Sequence, residues 1–137
     1  MVNLDEHWKL KETKNINQML RVREYLEPMQ IISNKNLVVI IHKFHVADDI
    51  MFPDASCLAF FASFEQNHLK QLENEKKLLL VAVDIFEGEM KFYIYCDDTK
   101  QCIHDCISYL KSNPLYSIDF EIYNHDDFKT YKKLLLI

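Results

Sequence analysis

A single glycine among 137 residues, Gly88, is the first constraint on what this chain does. Phosphate-cradling loops and dinucleotide fingerprints are built from several glycines, so nucleotide-dependent enzymes are excluded. Only three prolines accompany it, and no segment is low in complexity or repeated, so nothing reads as a flexible linker. Long apolar runs are missing too: Leu37 to Ile41 and Leu78 to Val83 fall far short of the roughly 20 residues that span a bilayer. The first twelve residues carry Asp5 and Glu6 and no apolar run, which predicts neither an export signal nor an anchor. A cytoplasmic setting is therefore expected. Cys57, Cys96, Cys102 and Cys106 should then be reduced thiols without a disulfide.

What is present is ordinary globular material, 49% apolar and 27% charged, sufficient for one domain over residues 1–137. The net charge of −5 is unevenly spread. Between Asp84 and Asp127 ten acids stand against three lysines, while the rest of the chain is slightly basic. Such a field repels nucleic-acid phosphates and anionic lipid and steers encounter with a basic protein surface. The plainer reading is solvation alone.

Asn36 to His45 is rich in β-branched residues with apolar side chains on both parities, as in a central strand. Pro53-Asp54 opens a helix whose Leu58, Phe61, Phe64, Leu69 and Leu72 form one stripe. Lys77 to Phe86 and Met90 to Cys96 read as two strands, with Gly88 supplying a tight hairpin between them. Asp97-Asp98-Thr99 caps a second helix, with Cys102, Ile103, Cys106, Ile107 and Leu110 inward and Asn113-Pro114 as its stop. Tyr116 to Tyr123 alternates as a half-buried strand, and a short helix follows from about Asp126. Strand, helix, strand, strand, helix, strand over 36–124 is the ferredoxin-like split βαβ order, an α+β class with an antiparallel sheet and helices on one face. Residues 1–35 form an extension and 125–137 the final helix. Within the extension, Gln18 to Leu26 fits a helix through Met19, Val22 and Leu26, yet Leu20-Arg21-Val22-Arg23 alternates like a strand; strand is preferred.

Candidate chemistry is sparse. His42 and His45 point to opposite faces of a strand, which disfavours a shared metal. Cys102 and Cys106, with Cys96 just before them, coincide with a buried stripe and read as core. His104 falls outside that stripe and is expected at the surface. Cys57, near a helix start, lacks an evident base. The acid pairs Asp48-Asp49, Asp97-Asp98 and Asp126-Asp127 each precede a predicted helix, where capping explains them. Tyr93, Tyr95 and Tyr123 on outward sides of strands suggest a platform of the kind that stacks RNA bases, but the acids around them suit a basic protein better. Alternatively, the N-terminal segment with Trp8 and Leu10 covers that face.

From Pro53 to Tyr131 the sequence resembles a bacterial family known as domain of unknown function 695. The features that carry the likeness are Trp8, the Pro53-led helix with Glu65, the run Leu79 to Gly88, the Phe92-Tyr93-Ile94-Tyr95 strand, and Asp126-Asp127-Phe128 with Tyr131. The chain departs from that pattern with Phe128 where the family more often has Trp, and without the glycine that often precedes the helix-opening proline. Relatives of the family look similar to the regulator of ribonuclease E activity B, an acidic ferredoxin-like nuclease inhibitor. The resemblance implies a binding role and lends no catalytic residue. Acidic, glycine-poor solitary domains also look like the immunity proteins of bacterial toxin systems.

The expectation is a non-enzymatic, inhibitory protein-binding module without metal or cofactor, an immunity protein against a basic toxin or nuclease domain. The alternative is a housekeeping regulator of an endogenous nuclease or other enzyme. A third reading, an enzyme using Cys57 or the histidines, requires a concave pocket with Cys57 and a His within hydrogen-bond reach. The expected contact residues are Tyr93, Tyr95, Asp97, Asp98, Asp119, Glu121 and Tyr123. The last strand, an edge beside the first, would expose Asp119, Glu121 and Tyr123 to a partner or to a second copy forming a homodimer.

Overall fold

The computed structural model describes residues 8–26, 34–46 and 52–137; the Asp48-Asp49 pair lies outside them. Among the described residues six strands are formed: β1 (Trp8–Lys11), β2 (Met19–Arg23), β3 (Asn36–Lys43), β4 (Leu79–Phe86), β5 (Glu89–Cys96) and β6 (Asp119–Tyr123). The helices are α1 (Ala55–Ser63), continued by a π-helical segment (Phe64–Leu69) into α2 (Lys70–Asn74), then α3 (Thr99–Leu110) and α4 (Lys129–Leu135). The sheet order is β1-β2-β4-β5-β3-β6 and every pairing is antiparallel. From β3 onward this is the ferredoxin-like order, with β6 at the edge against β3. The ambiguous segment is a strand: β2 pairs with β4 and widens the sheet, and β1 closes the far edge.

Both sheet faces are buried over the middle strands, which is why β3 and β4 are apolar on both parities. On the first face Val38, Ile40, Val83, Phe92 and Ile94 meet Phe61, Phe64, Leu69 and Leu72 of the first helical unit and Cys102, Cys106 and Leu110 of α3. On the second, Leu37, Val39, Val81, Ala82 and Tyr95 meet Phe128 and Tyr131, so α4 packs opposite the other helices. A register shift between Leu80 and Ala82 lets adjacent Val81 and Ala82 both serve this second cluster. Each large side chain sealed in this way contributes roughly 1.5–3 kcal/mol.

The stripe in the first helical unit holds a step of five residues, from Phe64 to Leu69, that an ideal α-helix would rotate off the face. The π-helical segment absorbs it by winding more residues into one turn, and both side chains are fully buried. Leu58 belongs to the predicted stripe but is 39% exposed, and Cys57 takes the inward position. The caps behave as read: Asp54 accepts from the Cys57 amide and Asp98 from the Gln101 amide. At the β4–β5 hairpin Glu87 and Gly88 have φ of 51° and 80°. A Cβ on Gly88 would stand 2.7 Å from Val46 Cγ2, so that turn needs glycine twice over.

Candidate functional site

The second sheet face is only partly roofed. Helix α4 covers the end of β5 that carries Tyr95, which is 0% exposed, so this residue is removed from the expected contact surface. Its ring stacks on Phe128, its hydroxyl donates to Asp126 Oδ2, and the Tyr131 amide donates to that hydroxyl. Strand alternation placed Tyr95 on the correct face; the covering element is the C-terminal helix, whereas the N-terminal Trp8 packs against the opposite cluster.

Beyond α4 the face opens into a groove of about 280 Å³ lined by Leu37, Val39, Lys91, Tyr93, Glu121, Tyr123 and Thr130. The pairing Leu37↔Tyr123 and Val39↔Glu121 with β6, and Val39↔Tyr93 with β5, brings the two tyrosines and the glutamate onto one surface. Tyr123 is exposed and donates to Glu121 Oε1 at 2.9 Å. Burial, followed by the charges and dipoles of Asp84, Tyr123, Glu121 and Glu89, pushes the Tyr93 hydroxyl up to about 12. The Tyr123 hydroxyl is raised by its bond to Glu121. Both phenols stay protonated at neutral pH. Their rings and phenol oxygens stand beside a carboxylate, a surface suited to holding cationic side chains and stacking on their stems.

Asp119 lies at the far end of the same β6 row, opposite Ile41. Asp97 and Asp98 sit past the end of β5. Asp98 is committed to capping α3, and the Asp97 carbonyl accepts from Asn36 Nδ2. The structure thus gathers Tyr93, Glu121 and Tyr123, extends the row to Asp119, and leaves Asp97 and Asp98 exposed at the strand end.

A second cavity, about 380 Å³, is lined by His42, His45, Asp54, Cys57 and Tyr116 among others. Its chemistry is quiet. Burial and then the Asp54 charge push the Cys57 thiol up to about 11, so no thiolate forms at neutral pH. His42 Nδ1 is 2.8 Å from the Ser117 carbonyl, and its ring lies between Phe61 and Tyr116. Cys96, Cys102 and Cys106 are buried, and mutual hydrogen bonding leads the upward shift of Cys96 and Cys102. Among the described residues no group of three His, Cys, Asp or Glu side chains could hold a metal ion. None of the described helices is long and apolar enough to cross a membrane.

The sequence matches the family of unknown function DUF695 over residues 6–136. The chain belongs to that family. Comparisons with curated proteins and with solved structures give no match.

Sequence reasoning missed one feature of this DUF695 chain. Arg21 and Arg23, alternate residues of β2, both reach across to the helical layer, where Arg21 meets Glu65 in a bidentate pair and Arg23 meets Glu73 in another. Both guanidinium groups lie 5.0–5.2 Å from the Trp8 ring centroid. Glu73 also accepts from the Leu80 amide at 2.7 Å. This ladder fastens the added β1–β2 hairpin to the π-helical segment and α2. The signal was the Arg-Val-Arg alternation with Glu65 and Glu73 on one helical side, which becomes informative only once β2 is known to lie under that helix.

Proposed function

We propose that this DUF695 protein is an inhibitory protein-binding module, an immunity protein that occludes a basic toxin or nuclease domain. The observation that carries the reading is the shared groove of Tyr93, Glu121 and Tyr123 beside the exposed Asp119, which combines desolvatable aromatic area with negative charge. Complementary charge raises association rates and selects a basic partner over an acidic one. The raised thiol of Cys57 and the engaged imidazole of His42 supply no nucleophile and base pair, which favours binding over catalysis. The second reading, a housekeeping regulator of an endogenous nuclease, draws on the same acidic surface and ferredoxin-like order.

Co-expression with candidate basic toxin domains from the same host tests the proposal. Rescue of growth and co-purification at nanomolar to micromolar affinity are expected. Reversing Asp119 and Glu121 to lysine should weaken binding at least about tenfold and flatten its salt dependence. Binding indifferent to both salt and charge reversal overturns the electrostatic mechanism. An adjacent reading frame for a large secreted effector separates the immunity reading from the housekeeping one.

A further inference from the structure

We infer that the partner engages β6 by strand addition, laying an extended segment that alternates basic and apolar side chains along this edge; the inference rests on the protein-binding reading above. Among the described residues β6 is last in the sheet, with β3 as its strand neighbour. Alternate main-chain groups of an edge strand face away from its neighbour, and a fresh strand satisfies them. The two edges of this sheet differ in how they are guarded. β1 is four residues long and carries Lys9 and Lys11, and the Lys11 ammonium is tied to the Leu135 carbonyl at 2.9 Å. Short length and lysine are the usual protections against edge pairing. β6, five residues long, has no lysine, and Asp119, Glu121, Ile122 and Tyr123 are all exposed.

The two rows of β6 define the occupant. Asp119, Glu121 and Tyr123 lie on the groove face, while Phe120 and Ile122 point to the helical face, where Ile122 is 45% exposed. Side chains directly opposite on an added strand stand about 4.5–5.5 Å away, so lysine or arginine at every second position meets the acids and the intervening apolar residues meet Phe120 and Ile122. A long cationic stem at the Tyr123 position also reaches the groove beside Tyr93. A second copy of this chain is a poor occupant, because antiparallel self-pairing centred on the strand sets Glu121 against Glu121, and like charges directly opposite repel.

Amide hydrogen exchange on the isotope-labelled full chain tests this, with a peptide of about six residues alternating lysine and valine as the probe. At low salt the peptide should slow exchange at alternate amides between Asp119 and Tyr123 at least about tenfold. A matched peptide with glutamate for lysine, and the Glu121→Lys protein with the lysine peptide, should each bind at least about tenfold more weakly. No binding of the lysine peptide, or binding that leaves the β6 amides fast, overturns strand addition. So does slow β6 exchange before any peptide is added together with a doubled solution mass, which assigns the edge to a second copy. Capture of a basic toxin whose complex leaves β6 amides fast removes strand addition and keeps the inhibitor reading; peptide pairing without any neutralised toxin does the reverse.

Discussion

Tyr95 and Phe128 stack face to face, ring centroids 4.0 Å apart and planes 15° from parallel, and so join the middle of the sheet to the start of the last helix. Phe128 holds this position with φ of 64°, between Asp127 at 51° and a helix of ordinary handedness. A left-handed aromatic residue is strained, and its burial at 3% exposure offsets that strain. Phe128→Ala should therefore lose about 3–5 kcal/mol in urea unfolding, whereas exposed Tyr123→Ala should stay within about 0.5 kcal/mol. The Phe128 variant should also free the amides of α4 for exchange while those of β3 and β5 remain protected.

Two carboxylates should answer acid in opposite directions. At Asp126 burial favours the neutral acid, but hydrogen bonds from Tyr95 and Thr130 outweigh it and hold the group below the usual range. Its stabilising effect is complete above the unfolded value of about 3.9 and is lost as pH falls through the lower folded value. Asp84 is raised, chiefly by burial. Its contribution is present below the unfolded value and lost as pH rises through the folded one. Asp126→Asn should thus destabilise at pH 7 and progressively less at acid pH, while Asp84→Asn should leave stability at pH 7 unchanged or higher. Urea midpoints across pH 3 to 7 check both.

The two arginine–glutamate pairs should differ sharply. Arg23 and Glu73 side chains are 7% and 11% exposed, against 34% for Arg21 in the other pair. Removing one member of a buried pair strands the other charge and typically costs about 3–5 kcal/mol. Glu73→Ala should reach that range, since it also deprives the Leu80 amide of its acceptor. Glu65→Ala, which leaves behind the more exposed Arg21, should cost nearer about 1 kcal/mol. Chemical denaturation of the two variants decides between a true difference and equivalent rungs.

At the β4–β5 hairpin, Gly88→Ala should cost about 1–3 kcal/mol, because alanine meets both an unfavourable φ and the Val46 side chain. The loss should appear in the urea midpoint, with a circular dichroism spectrum that still reports an intact sheet.

Much of the fold was legible because local signals agreed with one another. Alternation placed β5 and β6, the Asp54 and Asp98 caps fixed two helix starts, and Gly88 marked the hairpin. Edges of elements were less clear: β6 begins at Asp119 rather than Tyr116, since Tyr116 and Ile118 pack inward without entering the ladder. The π-helical turn was written in the spacing of Phe64 and Leu69, but a five-residue step is read as noise until both side chains are seen buried. Tyr93 and Tyr95 show the deeper limit for the site. A period of two assigns them the same face equally, and only the distant Phe128 and Tyr131 decide that one is sealed and the other open.

The seal formed by α4 has a kinetic consequence. Residues from β2, β3, β4 and β5 all await Phe128 and Tyr131 before their shared cluster is closed. During synthesis one apolar side of the nascent sheet therefore stays bare until α4 has left the ribosome, and such long-range closure folds slowly. A chaperone that shelters β-rich intermediates should raise the yield of this protein more than it raises its equilibrium stability.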